Sequence, residues 1–144
     1  MRRTFLQDYK FGIQKQGEVL KIIKKFFKDD NIKETIGKFA KHDYIGSGKS
    51  LELKSRTNNF SAYPDTLLPK DKVIKDCKYK QIFLFNFTDK LTYIVYDEKL
   101  FEKFKCNPFK RIQRGGIEDK EKLYYYIPIN ELKIIYDYNK KDEC

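Results

Sequence analysis

Two carboxylates and a lysine, Asp43, Glu52 and Lys54, have the residue types and spacing that metal-dependent hydrolysis would use. Carboxylate oxygens are the ligands that hard divalent cations such as Mg²⁺ prefer. A lysine beside such an ion can orient or deprotonate a water molecule, or stabilise the charge that develops on a phosphate under attack. The three side chains can act together only if the fold brings them to one place.

The stretch between the carboxylates contains Gly-Ser-Gly-Lys-Ser at residues 46–50, which is similar to the end of a phosphate-binding P-loop. The P-loop pattern G-x-x-x-x-G-K-[ST] would need a glycine at position 43, where this chain has Asp43. A P-loop also leads straight into a helix, whereas residues 51–56 alternate between apolar and polar as strands do. The glycines therefore indicate the turn of a β-hairpin.

A two-residue turn through Ser47-Gly48 would set the register of this hairpin and place Asp43 opposite Glu52. Directly opposed residues project to the same face of a sheet, and Lys54, two residues beyond Glu52, shares that face. The leucines on either side of Glu52 would point into the core. Two opposed carboxylates repel each other, so a cation between them is expected, and Mg²⁺ is the usual one. The alternative is a solvated strand face with three ordinary surface charges.

The pattern Asp43 … Glu52-Leu53-Lys54 resembles the signature of the PD-(D/E)xK nuclease superfamily, an acidic residue on one strand and Glu-x-Lys on the next. Glu-Leu-Lys-Ser-Arg at residues 52–56, followed by Tyr-Pro-Asp-Thr-Leu-Leu-Pro at residues 63–69, looks like small phage and viral members of this group. The resemblance covers residues 13 to about 97. It implies a restriction-endonuclease-like core with the element order α-β-β-β-α-β.

The resemblance also implies roles for individual residues. Asp43, Glu52 and the main-chain carbonyl of Leu53 would hold Mg²⁺ or Mn²⁺, and Lys54 would position and activate the attacking water. Members often add a carboxylate on the first helix, and Glu18 borders the apolar stripe of the predicted helix, so it would hold a second ion or an outer-shell water. The implied activity is hydrolysis of DNA phosphodiester bonds by an endonuclease that is structure-selective or of low specificity.

Hydrophobic periodicity predicts the elements that must position these residues. The predicted elements are a helix over residues 13–28, strands over 32–39, 40–45 and 50–56, a loop over 58–69, a short helix over 70–77, strands over 81–87 and 91–96, a short helix over 98–104, a strand over 123–127 and a last short element over 130–135. This order predicts one mixed α/β or α+β domain over residues 1–144, with a central mixed sheet and flanking helices.

The net charge of +10 favours a polyanionic partner, with DNA preferred to RNA. A homodimer or a larger nucleoprotein complex could supply specificity. Lysine-rich surfaces also arise from AT-rich genomes, so a solvated lysine face is the alternative for each basic cluster. The residues expected to contact phosphate are Lys49, Arg56, Lys70, Lys72, Arg111 and Arg114. The last two lie beside a flexible Gly-Gly at residues 115–116, which suits close contact with phosphate.

The composition disfavours several other classes of protein. The sequence has no apolar run long enough for a membrane span, and its first residues lack the apolar region of a secretion signal. Three cysteines without a C-x-x-C pair and a single histidine disfavour a zinc site and favour an intracellular, reducing compartment. Two non-enzymatic functions stay open: a nucleic-acid-binding protein that keeps the nuclease fold, and a virion or assembly protein that neutralises packaged nucleic acid.

Overall fold

Residues 17–35, 42–109 and 122–139 are described by the structure, a computed structural model, and they form a mixed α+β architecture. The helical elements are α1 (residues 17–26), α2 (Glu98–Glu102) and 3₁₀ turns at Lys70–Lys72 and Ile129–Glu131. The strands are β1 (Lys33–Glu34), β2 (Tyr44–Gly46), β3 (Lys49–Ser55), β4 (Asp65–Pro69), β5 (Lys80–Asn86), β6 (Lys90–Val95), β7 (Lys105–Phe109), β8 (Lys122–Pro128) and β9 (Lys133–Asp137). No helix in these three ranges is both long and apolar enough to cross a membrane.

Six strands form a mixed sheet in the order β1-β2-β3-β5-β6-β9, and the remaining three form a second sheet in the order β4-β8-β7. In the larger sheet β3 and β5 are parallel, and every other neighbouring pair is antiparallel. Parallel neighbours cannot be joined by a tight turn. The chain therefore crosses over through residues 56–79, and this crossover contains β4 and the first 3₁₀ turn.

The larger sheet has an apolar core on each face. On one face, Val19 and Ile23 of α1 pack against a cluster that includes Leu51 of β3, with Leu53 at its border. On the other face, alternate residues of β5 pack against the second sheet and α2, in a cluster that includes Leu68, Phe83, Phe85, Phe101 and Ile127. Side chains alternate along a strand, so β3 turns its leucines toward α1 and its charged residues toward the second sheet.

The register predicted for the β2–β3 hairpin is confirmed. Tyr44 pairs with Leu51, and Gly46 pairs with Lys49. Gly48 occupies the left-handed region with a φ of 67°, which glycine adopts without steric cost. The predicted β5–β6 hairpin and the helix after it are also present. The first strand is limited to β1 among the described residues, because the rest of its predicted range, residues 36–39, lies outside them.

The helix predicted over residues 70–77 is wrong, because only Lys70–Lys72 is helical and as a single 3₁₀ turn. The side-chain amide of Gln81 accepts from the N–H of Ile74 at 2.9 Å and donates to its carbonyl at 3.0 Å. Those are the main-chain groups that a helix would use. The second helix of the predicted order α-β-β-β-α-β is therefore absent from the connection between β3 and β5, whose residues are all described.

Part of the predicted loop over residues 58–69 is a strand. β4 pairs with β8, with Thr66 opposite Ile127, and buries Leu68 completely. The two prolines near this segment indicated a loop, but Pro69 lies at the end of β4, which is an edge strand of its sheet, and there a missing N–H costs little. β7, on the other side of β8, was not predicted either.

The turn of the β2–β3 hairpin is fixed to the end of α1 by a buried carboxylate. Asp29 Oδ2 accepts from the N–H of Ser47 at 2.9 Å and from Lys49 Nζ at 2.8 Å. Gly46 makes this approach possible, because a Cβ atom there would lie 2.7 Å from Cγ1 of Ile32 and 2.8 Å from Oδ2 of Asp29. The hairpin therefore has little freedom to move relative to α1.

We expect Gly46→Ala to lower the free energy of unfolding by about 1–3 kcal/mol, because the added methyl group overpacks a filled site. Urea denaturation followed by circular dichroism measures the change. Gly17→Ala is the matched control, since its position is helical and has no atom within 4 Å of the added carbon. That substitution should be neutral or stabilise by up to about 1 kcal/mol. Equal stability of the two variants would contradict the close packing around Gly46.

Candidate active site

Glu52 and Lys54 lie side by side on the face of β3 that is turned toward the second sheet. Their side chains are only 12% and 21% exposed, and Glu52 Oε1 lies 3.6 Å from Lys54 Nζ. In the parallel pairing of β3 with β5, Glu52 is opposite Phe83 and Lys54 is opposite Phe85. Two half-buried charges beside phenylalanines do not form an ordinary solvated strand face. The predicted shared face for these two residues is confirmed.

Asp43 lies immediately before β2 and is attached to β3 by main-chain and side-chain hydrogen bonds. Its N–H donates to the carbonyl of Leu51 at 3.1 Å, and its Oδ2 accepts from the N–H of Leu53 at 2.7 Å. The Asp43 carboxylate thus takes the place of a main-chain partner for β3. The N–H and the carbonyl of one strand residue point to the same side of the strand, so the Leu53 carbonyl points toward Asp43.

A second lysine reaches Glu52 from the crossover. Lys72 Nζ lies 3.6 Å from Glu52 Oε1, the same oxygen that faces Lys54, and the Lys72 side chain is 40% exposed. The sequence indicated Lys72 only as a contact for phosphate. Its position beside Glu52 depends on how the crossover places the 3₁₀ turn over β3, and no local spacing in the sequence indicates that.

The electrostatics show that these side chains form one cluster. Burial raises the pKa of Glu52, the negative charge of Asp43 raises it further, and the two lysines oppose this. Burial likewise lowers the pKa of Lys54, Lys72 lowers it further, and Glu52 opposes this. The carboxylate of Glu52 is thus held in a place where its negative charge is costly unless cations stay near.

The donor atoms suit a hard divalent cation in number and type. Glu52 on β3 and Asp43, just before β2, supply carboxylate oxygens, and Leu53 supplies a carbonyl on the same side as Asp43. Within the described parts of the chain, no group of three His, Cys, Asp or Glu side chains comes together. Mg²⁺ commonly keeps several water ligands and binds through one or two carboxylates. Two carboxylates and one carbonyl are therefore the groups that would hold a Mg²⁺ or Mn²⁺ ion here, and water would supply its other ligands.

The structure does not bring Glu18 to this cluster. Glu18 is exposed on α1, which packs on the sheet face opposite to Glu52. Glu18 lines a pocket together with Tyr138, the residue that follows β9. Burial, and then the charge of Glu18, raise the pKa of Tyr138 to about 12. The predicted role of Glu18 in holding a second ion or a water at Asp43 and Glu52 is not supported by this position.

Two of the residues predicted to contact phosphate have structural partners instead. Lys49 is paired with Asp29 at 2.8 Å, and both side chains are largely buried. The guanidinium group of Arg56 donates to Thr66 Oγ1 at 3.2 Å and to the carbonyl of Leu67, which connects the end of β3 to β4. Asp29 was missed as a structural anchor, because its place after a helix indicated only where the helix ends.

The remaining predicted phosphate contacts are Lys70, Arg111 and Arg114. Lys70 is exposed in the first 3₁₀ turn, two residues before Lys72. Arg111 and Arg114 lie outside the described residues. Among the predicted phosphate contacts in the described residues, Lys72 lies within 4 Å of Glu52, and Arg56 affects the cluster through its charge on Lys54.

We expect Lys49→Met to destabilise the protein at pH 7 and to lose only part of this effect at pH 3, because the folded-state pKa of Asp29 lies well below 3. Lys49 is the main cause that lowers the pKa of Asp29, followed by the N–H of Ser47. A carboxylate whose folded-state pKa is depressed stabilises the fold above its unfolded pKa, near 4, and loses this contribution as the pH falls. Urea denaturation at both pH values measures the difference from the wild type. Lys70→Met, which replaces an exposed lysine, is the control. If Lys49→Met is as stable as the wild type at pH 7, a structural role of Lys49 is refuted.

Comparisons of this chain with family models, with curated proteins and with solved structures found no match. The arrangement of Asp43, Glu52, Lys54 and Lys72 is therefore the basis on which a function has to be inferred.

Proposed function

We propose that this protein is a metal-dependent nuclease that hydrolyses DNA phosphodiester bonds at Asp43, Glu52 and Lys54. The observation that carries the proposal is the half-buried Glu52–Lys54 pair on β3, with the Asp43 carboxylate bound to the N–H of the intervening Leu53. The β2–β3 hairpin has the register that its glycine turn requires, which supports the proximity of Asp43, just before β2, to Leu53 between Glu52 and Lys54. Burying such charges costs free energy, and a catalytic role would explain why they are buried.

The strand order also supports a restriction-endonuclease-like core of the PD-(D/E)xK type. Helix α1 is followed by β1, β2 and β3 in an antiparallel meander, and β5 then lies parallel to β3. This agrees with the α-β-β-β part of the order that the resemblance implies. Where that order has a second helix, this chain has β4 and a 3₁₀ turn.

Each residue of the proposed site has a chemical role. Asp43, Glu52 and the Leu53 carbonyl would hold Mg²⁺ or Mn²⁺, an ion that polarises the scissile phosphate and lowers the pKa of a bound water. The Lys54 ammonium, fixed next to Glu52, would hold the attacking water and stabilise charge on the phosphate. The net charge of +10 would draw DNA toward the protein.

A second candidate function is DNA binding without cleavage, either by itself or as part of a nucleoprotein assembly. Lys54 and Lys72 both lie 3.6 Å from Glu52 Oε1, so the carboxylate already has two cations beside it. In a binding protein these pairs would be permanent, and the site would need no metal. The two candidates therefore differ in whether a divalent ion binds at Glu52.

We expect the wild type to cut DNA in the presence of Mg²⁺ or Mn²⁺ and to stop in EDTA. Glu52→Gln removes an anionic ligand and should abolish cleavage, and Lys54→Met should slow it by about 10²–10⁴-fold, as for the loss of a general acid–base group. Gel assays on linear, single-stranded and branched DNA measure the rates. Glu131→Gln, which neutralises an exposed carboxylate in the second 3₁₀ turn, should cut at the wild-type rate.

The nuclease proposal fails if the wild type cuts none of these DNAs and calorimetry detects no divalent ion whose binding depends on Glu52. Salt-dependent DNA binding without cleavage would then favour the second candidate, since contacts to phosphate make affinity fall with salt. Cleavage that survives Glu52→Gln would place the activity elsewhere in the chain.

A further inference from the structure

One oxygen of Glu52 has two ammonium groups beside it, and the two differ in how they are held. Lys54 comes from the same strand and is 21% exposed, whereas Lys72 comes from the 3₁₀ turn of the crossover and is 40% exposed. Both distances are 3.6 Å, longer than the roughly 2.7–2.9 Å of a hydrogen-bonded ion pair. Lys72 is therefore attracted to Glu52 mainly by charge, and its more exposed ammonium can leave at a lower cost than that of Lys54.

The cluster has at least as much positive as negative charge without a metal. The ammonium groups of Lys54 and Lys72 lie beside Glu52, and the charges of Asp43 and Arg56 also act on Lys54. A divalent cation at the two carboxylates would add two positive charges and repel both ammonium groups beside Glu52 Oε1. The side chain with the most freedom to move away is Lys72, because its flexible stem extends from an exposed turn.

We propose that Lys72 is a displaceable counter-ion, which pairs with Glu52 in the absence of metal and moves to a phosphate of the DNA when a divalent ion binds. The inference rests on the proposed function and adds to it a residue that couples metal binding to DNA binding. Lysine contacts to phosphate oxygens position a protein on DNA without reading the sequence. The 3₁₀ turn, with Lys70 also exposed on it, is the part of the cluster best placed to meet a DNA backbone.

This exchange has a thermodynamic consequence that a permanent ion pair lacks. When one ligand changes the affinity of another, the second changes the affinity of the first by the same factor. DNA that binds Lys72 removes a competitor of the metal, and metal that displaces Lys72 frees a contact for DNA. Metal and DNA should therefore each raise the affinity of the other, and part of this coupling should be lost with the Lys72 charge.

The metal arm of the test is a calorimetric titration of Mn²⁺ into the wild type, Lys72→Ala and Lys70→Ala, without DNA. Lys72→Ala should bind Mn²⁺ about two- to fivefold more tightly than the wild type, the range expected when a partly exposed ion pair no longer competes. Lys70→Ala, in the same turn, should match the wild type. Lys72→Arg keeps the positive charge and should also bind Mn²⁺ as the wild type does.

The DNA arm uses fluorescence anisotropy with a labelled duplex in a Lys54→Met background, which slows cleavage about 10²–10⁴-fold under the proposed function. With Mn²⁺ present, adding Lys72→Ala should flatten the dependence of log affinity on log salt by about one unit, the loss of one phosphate contact. Without Mn²⁺ the slope should not change, because Lys72 is then paired with Glu52.

The outcomes distinguish this inference from the proposed nuclease function on which it rests. If the wild type binds Mn²⁺ through Glu52 but Lys72→Ala binds it no more tightly than Lys70→Ala, the exchange is refuted and the nuclease proposal stands. If the wild type and Glu52→Gln bind Mn²⁺ equally or not at all, both are refuted. Circular dichroism and urea denaturation of each variant show whether an altered affinity reflects a change in fold.

Discussion

Strand β3 has to pair with two neighbouring strands and pack its leucines under α1 at the same time, and the rest of the structure follows from this. It is antiparallel to β2 on one edge and parallel to β5 on the other. Its leucines complete the core under α1, and its register cannot slip by one residue without exposing them. The charged residues between the leucines are consequently fixed on the opposite face, where the second sheet partly encloses them. The position of Glu52 and Lys54 is thus determined by the packing of their apolar neighbours.

The enclosure changes the behaviour of the charges. In water, Glu52 and Lys54 would gain little from their proximity, since exposed ion pairs contribute at most about 1 kcal/mol. Beside Phe83 and Phe85 each charge has lost part of its hydration and depends on the others in the cluster. A change of charge nearby therefore alters the energies of these side chains more than it would alter those of the same residues on a solvated surface.

The sequence was most informative where the contacts are local. The glycine turn and the alternation after it predicted the pairing of Tyr44 with Leu51, and from that pairing the common face of Glu52 and Lys54. Glu18 was a different case. The spacing of apolar residues shows which side of a helix is buried, but not which face of the sheet the helix covers, and α1 covers the face away from Glu52. The strand β4 and the position of Lys72 beside Glu52 were not predicted, because they depend on a crossover and on pairing with β8, which lies about sixty residues further along the chain.

The separation between β4 and its partner has a consequence for how the protein reaches this structure. The β2–β3 hairpin joins residues that are close in sequence, so it can form early, and with it the bond from Asp43 to Leu53. The second sheet needs residues 65–69 to find residues 124–128, and closing such a long loop is slower. Until it closes, the face of β5 that carries Phe83 and Phe85 lacks its cover. If the hairpin forms before the second sheet, the acidic and basic residues would be aligned while an aromatic surface beside them is exposed, and exposed apolar surface of this kind favours aggregation.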